Sequence, residues 1–179
     1  MKSISHEHGK INSKIVSKQI ISIVFLTILT LLTMESQAQT FKTIENKDLK
    51  LEVYNASENS FGVASVIVSG KKDAVLIDTQ FTLADAEKVA QEIKKSGKKL
   101  TTIFVSHGDP DFYFGLEVFK KYFPEVTAYA TPATIEHIKA TAQKKLDVWG
   151  ERLGKNITSN VILPQVLKGN SKIGRASCR

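Results

Sequence analysis

The residues best suited to chemistry lie in one ten-residue stretch, Ser106-His107-Gly108-Asp109-Pro110-Asp111-Phe112-Tyr113-Phe114-Gly115. His107, Asp109 and Asp111 fall at i, i+2 and i+4, and a tight loop can turn one imidazole and two carboxylates of that spacing toward a single point. Zinc takes such a mixture of nitrogen and oxygen donors, and iron or manganese takes it as well. A second reading stays open beside this one. Asp109-Pro110-Asp111 is also good turn chemistry, because Pro fixes φ and Asp hydrogen-bonds its own backbone, and His107 then needs only a backbone carbonyl.

Other candidates are weaker. His137 stands in a helical segment beside Glu136 and Lys139 and reads as a surface or packed histidine, while His6 and His8 precede an apolar run near the N-terminus. Trp149 and Tyr113-Phe114 read as core or rim packing, with a pocket wall as the alternative. Lys98-Lys99 and Lys144-Lys145 read as solvated faces.

The elements that must position the loop follow from periodicity. Leu49, Leu51 and Val53 alternate with polar neighbours as in a half-buried strand, Asn55–Ser60 is a turn-rich break, and residues 63–68 form a second strand. Gly70-Lys71-Lys72-Asp73 reads as a hairpin turn into the all-apolar strand 74–77, which ends at Asp78. Thr82 and Asp85 make a start resembling a capping box. Leu83, Ala86, Val89, Ala90 and Ile93 then recur at helical spacing until Ser96-Gly97 closes the helix. Residues 100–105 form another buried strand, so strand, helix and strand make a βαβ unit with parallel strands. The loop of His107 follows the C-terminal end of that strand, where open α/β sheets place their ligand sites. Beyond it the pattern predicts a helix over 116–122, a strand over 126–130, and a helix opened by Thr131-Pro132 that runs to about 146 or 149. Residues 150–172 read as loop apart from 160–163.

Both ends of the 179-residue chain read as something other than the fold. Lys2, Lys10, Lys14 and Lys18 lead into an apolar run over 20–32, and Ser36-Gln37-Ala38 offers small residues at the positions a signal peptidase reads. Residues 1–38 are therefore expected to be a cleaved signal, since the run falls short of the roughly 20 residues that cross a bilayer. Membrane contact is then confined to export, and the mature protein is periplasmic or secreted. Residues 173–179 read as a translated sequencing adapter, with a genuine basic tail as the alternative, which leaves 39–172 as a truncated domain. Of the formal charge of +7, the signal carries +2 and the tail +2, and the remaining +3 argues against a nucleic-acid partner. Cys178, the single cysteine, lies in the tail, so residues 39–172 offer neither a disulfide nor a thiolate ligand.

From about Asn59 to Lys139 the chain resembles the metallo-β-lactamase superfamily. The resemblance rests on the βαβ order, the strand end Ile77-Asp78-Thr79, and the loop, which in the family reads His-x-His-x-Asp-His ahead of a glycine-containing stretch. Matches fall at His107, Asp111 and Gly115. Departures fall at Asp109, where the family has its second histidine, and at Phe112, where it has its third. The resemblance implies an α/β fold, an αββα sandwich of which this chain covers about the first half. It implies that His107 and Asp109 serve a first metal position, that Asp111 serves a second, and that Asp78 hydrogen-bonds the loop from behind. With Phe112 unable to ligate, one divalent ion is expected, zinc first and iron or manganese next. The activity implied is that of an exported metal-dependent hydrolase, in which Asp111 orients or deprotonates a metal-activated water against an ester, amide or lactam-type bond of a small molecule. The rival is a degenerate, non-catalytic member acting as a binding module.

Overall fold

The computed structural model describes residues 41–169. The expected signal at 1–38, its cleavage point before Gln39 and the tail at 173–179 lie outside them.

Seven strands form one mixed sheet in sequence order. β1 (Lys42–Glu45), β2 (Lys50–Asn55), β3 (Ala64–Ser69) and β4 (Asp73–Ile77) make an antiparallel meander. β5 (Lys99–Phe104), β6 (Thr127–Ala130) and β7 (Gln165–Val166) then continue it in parallel from β4. Four helices complete the described fold: α1 (Leu83–Ser96), α2 (Pro110–Tyr113), α3 (Leu116–Tyr122) and α4 (Pro132–Leu153).

α1 forms for the reasons its sequence suggests. The Thr82 hydroxyl accepts from the Asp85 amide at 3.2 Å and donates to the Asp85 carboxylate at 2.7 Å, satisfying a helix-end donor that would otherwise be orphaned. Ala86, Val89, Ala90 and Ile93 are buried, and Gly97 ends the helix in the left-handed conformation. Asp85 also anchors the neighbouring hairpin, because Tyr54 Oη donates to it at 2.6 Å and Ser60 Oγ at 2.8 Å. Burial alone would push this carboxyl up, but the hydroxyl donors and the Lys88 ammonium outweigh it and hold the group below the usual range.

The two faces of the sheet differ. Ile67, Leu76, Ile103 and Ala128 are aligned across neighbouring strands, and all are buried in the core that contains α1 and α3. On the opposite face Leu51, Val53, Val66, Val68, Ile77 and Phe104 are aligned in the same way and are only part-buried.

Three details depart from the sequence reading. β1 was not expected: all four of its residues are exposed, so it carries no apolar signal, and it exists as the partner of β2. The last strand is Gln165–Val166 rather than 160–163, where Val161 and Ile162 instead pack against the core as irregular chain. The long helix runs on to Leu153.

Candidate functional site

The loop after β5 is fastened to the strand end after β4. The Thr79 amide donates to Phe112 O at 2.9 Å and its hydroxyl to the same oxygen at 3.1 Å, while the Gly115 amide donates to Gln80 O at 3.0 Å. This approach is close enough to require glycine: a Cβ on Gly115 would stand 1.9 Å from Thr79 O and 2.8 Å from the Ala86 Cβ. The strand end itself is strained, with φ of 59° at Asp78 and 79° at Gln80. The third non-glycine residue with positive φ among those described is Phe61, also at 59°, which lies against the same site. Held strain of this kind clusters where geometry serves a function.

Asp78 is buried, and its carboxylate accepts from the Ser106 amide at 2.8 Å and the Ser106 hydroxyl at 2.7 Å. That hydroxyl has one proton, committed to Asp78, so the His107 Nδ1 at 2.8 Å must be the donor to Ser106 Oγ. A neutral His107 then keeps Nε2 as its acceptor. Burial raises the Asp78 carboxyl above its ordinary range against the opposing pull of the Ser106 bonds.

His107 is exposed and its ring lies 4.6 Å from that of Phe112, Asp109 and Asp111 line the pocket beside the loop, and Asp111 feels the charges of both Asp109 and His107. The Asp109 carboxylate is engaged by Lys145 Nζ at 2.9 Å, with His137 Nε2 at 3.7 Å. The Lys145 bond holds Asp109 below the usual carboxylate range. Asp111 is part-buried, and desolvation, with Asp109 adding repulsion, raises it. Among the described residues no group of three or more His, Cys, Asp or Glu side chains is placed to hold a metal ion. Tested residue by residue, His107 suits a ligand, its tautomer being fixed from behind. Asp109 does not, because a dication on it would face an ammonium, and Phe112 offers a carbon ring.

The pocket encloses about 450 Å³, within the range of small-molecule sites. Phe61, Phe81, Phe112 and Trp149 supply aromatic wall, and Asp109, Asp111 and Lys145 supply its charge. Trp149 meets Phe81 edge-on at 5.1 Å and Phe61 at 5.4 Å. Tyr113 and Phe114 are core, and burial pushes the Tyr113 hydroxyl up to about 12.

Two site residues escaped the sequence reading. Lys145 is not on a solvated face: its side chain is 18% exposed and turned onto the loop. His137 has company there, with Lys145 Nζ 3.2 Å from its Nε2. Their spacing of eight on one helix was the available signal, but only the tertiary fold brings that side of α4 to Asp109.

The sequence profile of the metallo-beta-lactamase superfamily matches residues 59–171, well over half of the chain. The chain belongs to the metallo-β-lactamase superfamily. No curated protein matches it in sequence. Among solved structures, a metallo-beta-lactamase from Hirschia baltica is 14% identical at a TM-score of 0.51, over 75% of this chain and 55% of that one. The metallo-beta-lactamase FIM-1 from Pseudomonas aeruginosa, in its mono-zinc form, is 10% identical at a TM-score of 0.50, over 74% and 52%. At such identities the likeness is one of fold, and it agrees with the α/β class expected from the sequence. The chain spans about half the length of the solved structures it matches.

Proposed function

We propose that this chain is part of an exported metallo-β-lactamase-superfamily protein that takes a small molecule in the aromatic pocket beside the altered loop, as a binding module rather than a two-metal hydrolase. One observation carries the reading. Of the loop's donors Asp109 faces the Lys145 ammonium, and at 112 an aromatic ring stands where the family has a histidine. A pocket with aromatic walls and a few charged groups is well suited to holding a ligand. Export rests on the basic lead, the apolar run and Ser36-Gln37-Ala38. The continuation of the domain beyond residue 172 rests on the part-buried apolar face of the sheet, which a second αβ half would cover.

The metal-dependent hydrolase is the second reading, favoured by the position of the loop at the C-terminal end of a parallel strand and by the fixed His107 tautomer. It requires further donors from outside the described residues, for zinc first and for iron or manganese next. Trp149, the single tryptophan of this chain, reports on the pocket. Fluorescence titration of the complete protein with small aromatic esters, lactones and lactams, alongside product analysis with and without added zinc, separates the two. Saturable quenching of Trp149 that weakens in Phe61→Ala, without turnover, supports the binding module. Turnover dependent on a divalent ion refutes it and restores the hydrolase.

A further inference from the structure

The Lys145 ammonium has more around it than the one carboxylate on which the binding-module reading draws. Nζ lies 2.9 Å from Gly108 O, 2.9 Å from Asp109 Oδ1 and 3.2 Å from His137 Nε2. A lysine has three N–H donors and no acceptor, so three acceptors satisfy it completely, provided neutral His137 carries its proton on Nδ1. The three come from different places: a buried loop carbonyl, a loop carboxylate and an imidazole two helical turns back on α4. Glycine at 108 is what lets loop and helix approach, since a Cβ there would come within 2.6 Å of the His137 ring. Lys144, its neighbour in sequence, is exposed, whereas the Lys145 side chain is mostly covered.

A carbonyl oxygen, a carboxylate oxygen and an imidazole nitrogen around one point form a cation cradle. Its radius fits an ammonium: centre-to-donor distances of 2.9–3.2 Å are those of N–H hydrogen bonds, whereas zinc needs about 2.0–2.2 Å to the same donor types. We propose that Lys145 is the resident cation of this loop, a positioning residue that holds Gly108, Asp109 and His137 together, so that Asp109 serves as its counter-ion and not as a metal ligand. The inference rests on the reading that the loop works without paired metal ions, and it names the cation that serves in their place. It also ties the pocket's charge to α4, because Lys145, His137 and Trp149 sit on the same helix.

Three measurements on the complete protein test it. In trace acylation of the natural protein read by peptide mass spectrometry, Lys145 reacts at least about tenfold more slowly than Lys144, because its three hydrogen bonds must break first. Equal rates overturn the proposal, and this arm needs no variant to fold. In thermal unfolding, Lys145→Ala lowers Tm by about 2–4 °C. Methylammonium chloride restores part of that loss beyond an equal concentration of sodium chloride, and the Asp109→Ala/Lys145→Ala double variant shows no such rescue. A Lys145→Ala protein as stable as the natural one, or a stabilisation equal in both salts, overturns it. In elemental analysis, a divalent ion present in the natural protein and lost in Asp109→Ala overturns it. An ion that Asp109→Ala retains upholds the lysine assignment and, where turnover depends on that ion, refutes the binding-module reading, so the two failures are told apart.

Discussion

Gly115→Ala tests how tightly the loop is clamped to the strand end. The new methyl carbon would stand 1.9 Å from Thr79 O, a backbone atom that cannot swing aside. Thr79 is itself fixed through two hydrogen bonds to Phe112 O, and Ala86 closes the other side at 2.8 Å. Forced insertion into a packed site costs about 1–3 kcal/mol. As the backbone retreats from that contact, the 3.0 Å bond from the Gly115 amide to Gln80 O is lost as well, adding about 1 kcal/mol. The expected destabilisation is roughly 3 kcal/mol, or a Tm lower by about 6–12 °C in a protein of some 150–250 residues. Gly108→Ala is the internal comparison. Its nearest clash is with the His137 ring, which can turn away from the new methyl by giving up its Lys145 contact, and no backbone atom stands as close, so the loss is expected to be about 1 kcal/mol. Urea denaturation of the complete protein at neutral pH measures both. A Gly115→Ala loss below about 1 kcal/mol, or one no larger than that of Gly108→Ala, would refute the clamp.

Asp85→Asn should cost about 2–3 kcal/mol through its buried hydrogen bonds to Tyr54, Ser60 and Thr82, as read by denaturant unfolding. Because the folded carboxyl lies below its ordinary range, its contribution is complete above that range and is lost as the pH falls below it through the folded value. The natural protein should therefore lose more stability on acidification than the variant, and equal acid sensitivity would count against the network. Asp78 has the opposite sign: its carboxyl is raised, so its contribution is greatest at low pH and declines as the pH rises through the ordinary aspartate range into the folded one. Asp78→Ala should release the Ser106 amide, seen as faster hydrogen exchange there, and unchanged exchange would remove Asp78 as the anchor of the loop. Export should leave Gln39 as the first residue of the mature protein on N-terminal sequencing, and an intact Met1 on envelope-bound protein would refute the signal.

The sequence was most legible where one physical signal dominates. The apolar period of α1 and the Thr82–Asp85 start appear in the fold as read, because burial and capping are local properties. The parallel pairing of β4 and β5 followed from the βαβ order. β1 and β7 carry exposed residues and were invisible to an argument from burial. At the site, type and spacing identified the loop but not where its side chains point. Spacing alone allowed His107, Asp109 and Asp111 to converge. Lys145, some 36 residues further on, turns Asp109 toward itself, and the Phe112 ring stands beside His107. A lysine in a polar helix reads as solvated until a neighbouring loop is shown to cover it.

Elemental analysis of the complete protein, purified without chelator from zinc-supplemented growth and compared with its His107→Ala variant, bears most directly on whether this loop is a metal centre. With Asp109 held by an ammonium and Phe112 in place of a donor, the expected result is no stoichiometric divalent ion attributable to the loop, and the same metal content in both proteins. One or more equivalents of zinc, iron or manganese in the natural protein that disappear with His107→Ala would contradict the account.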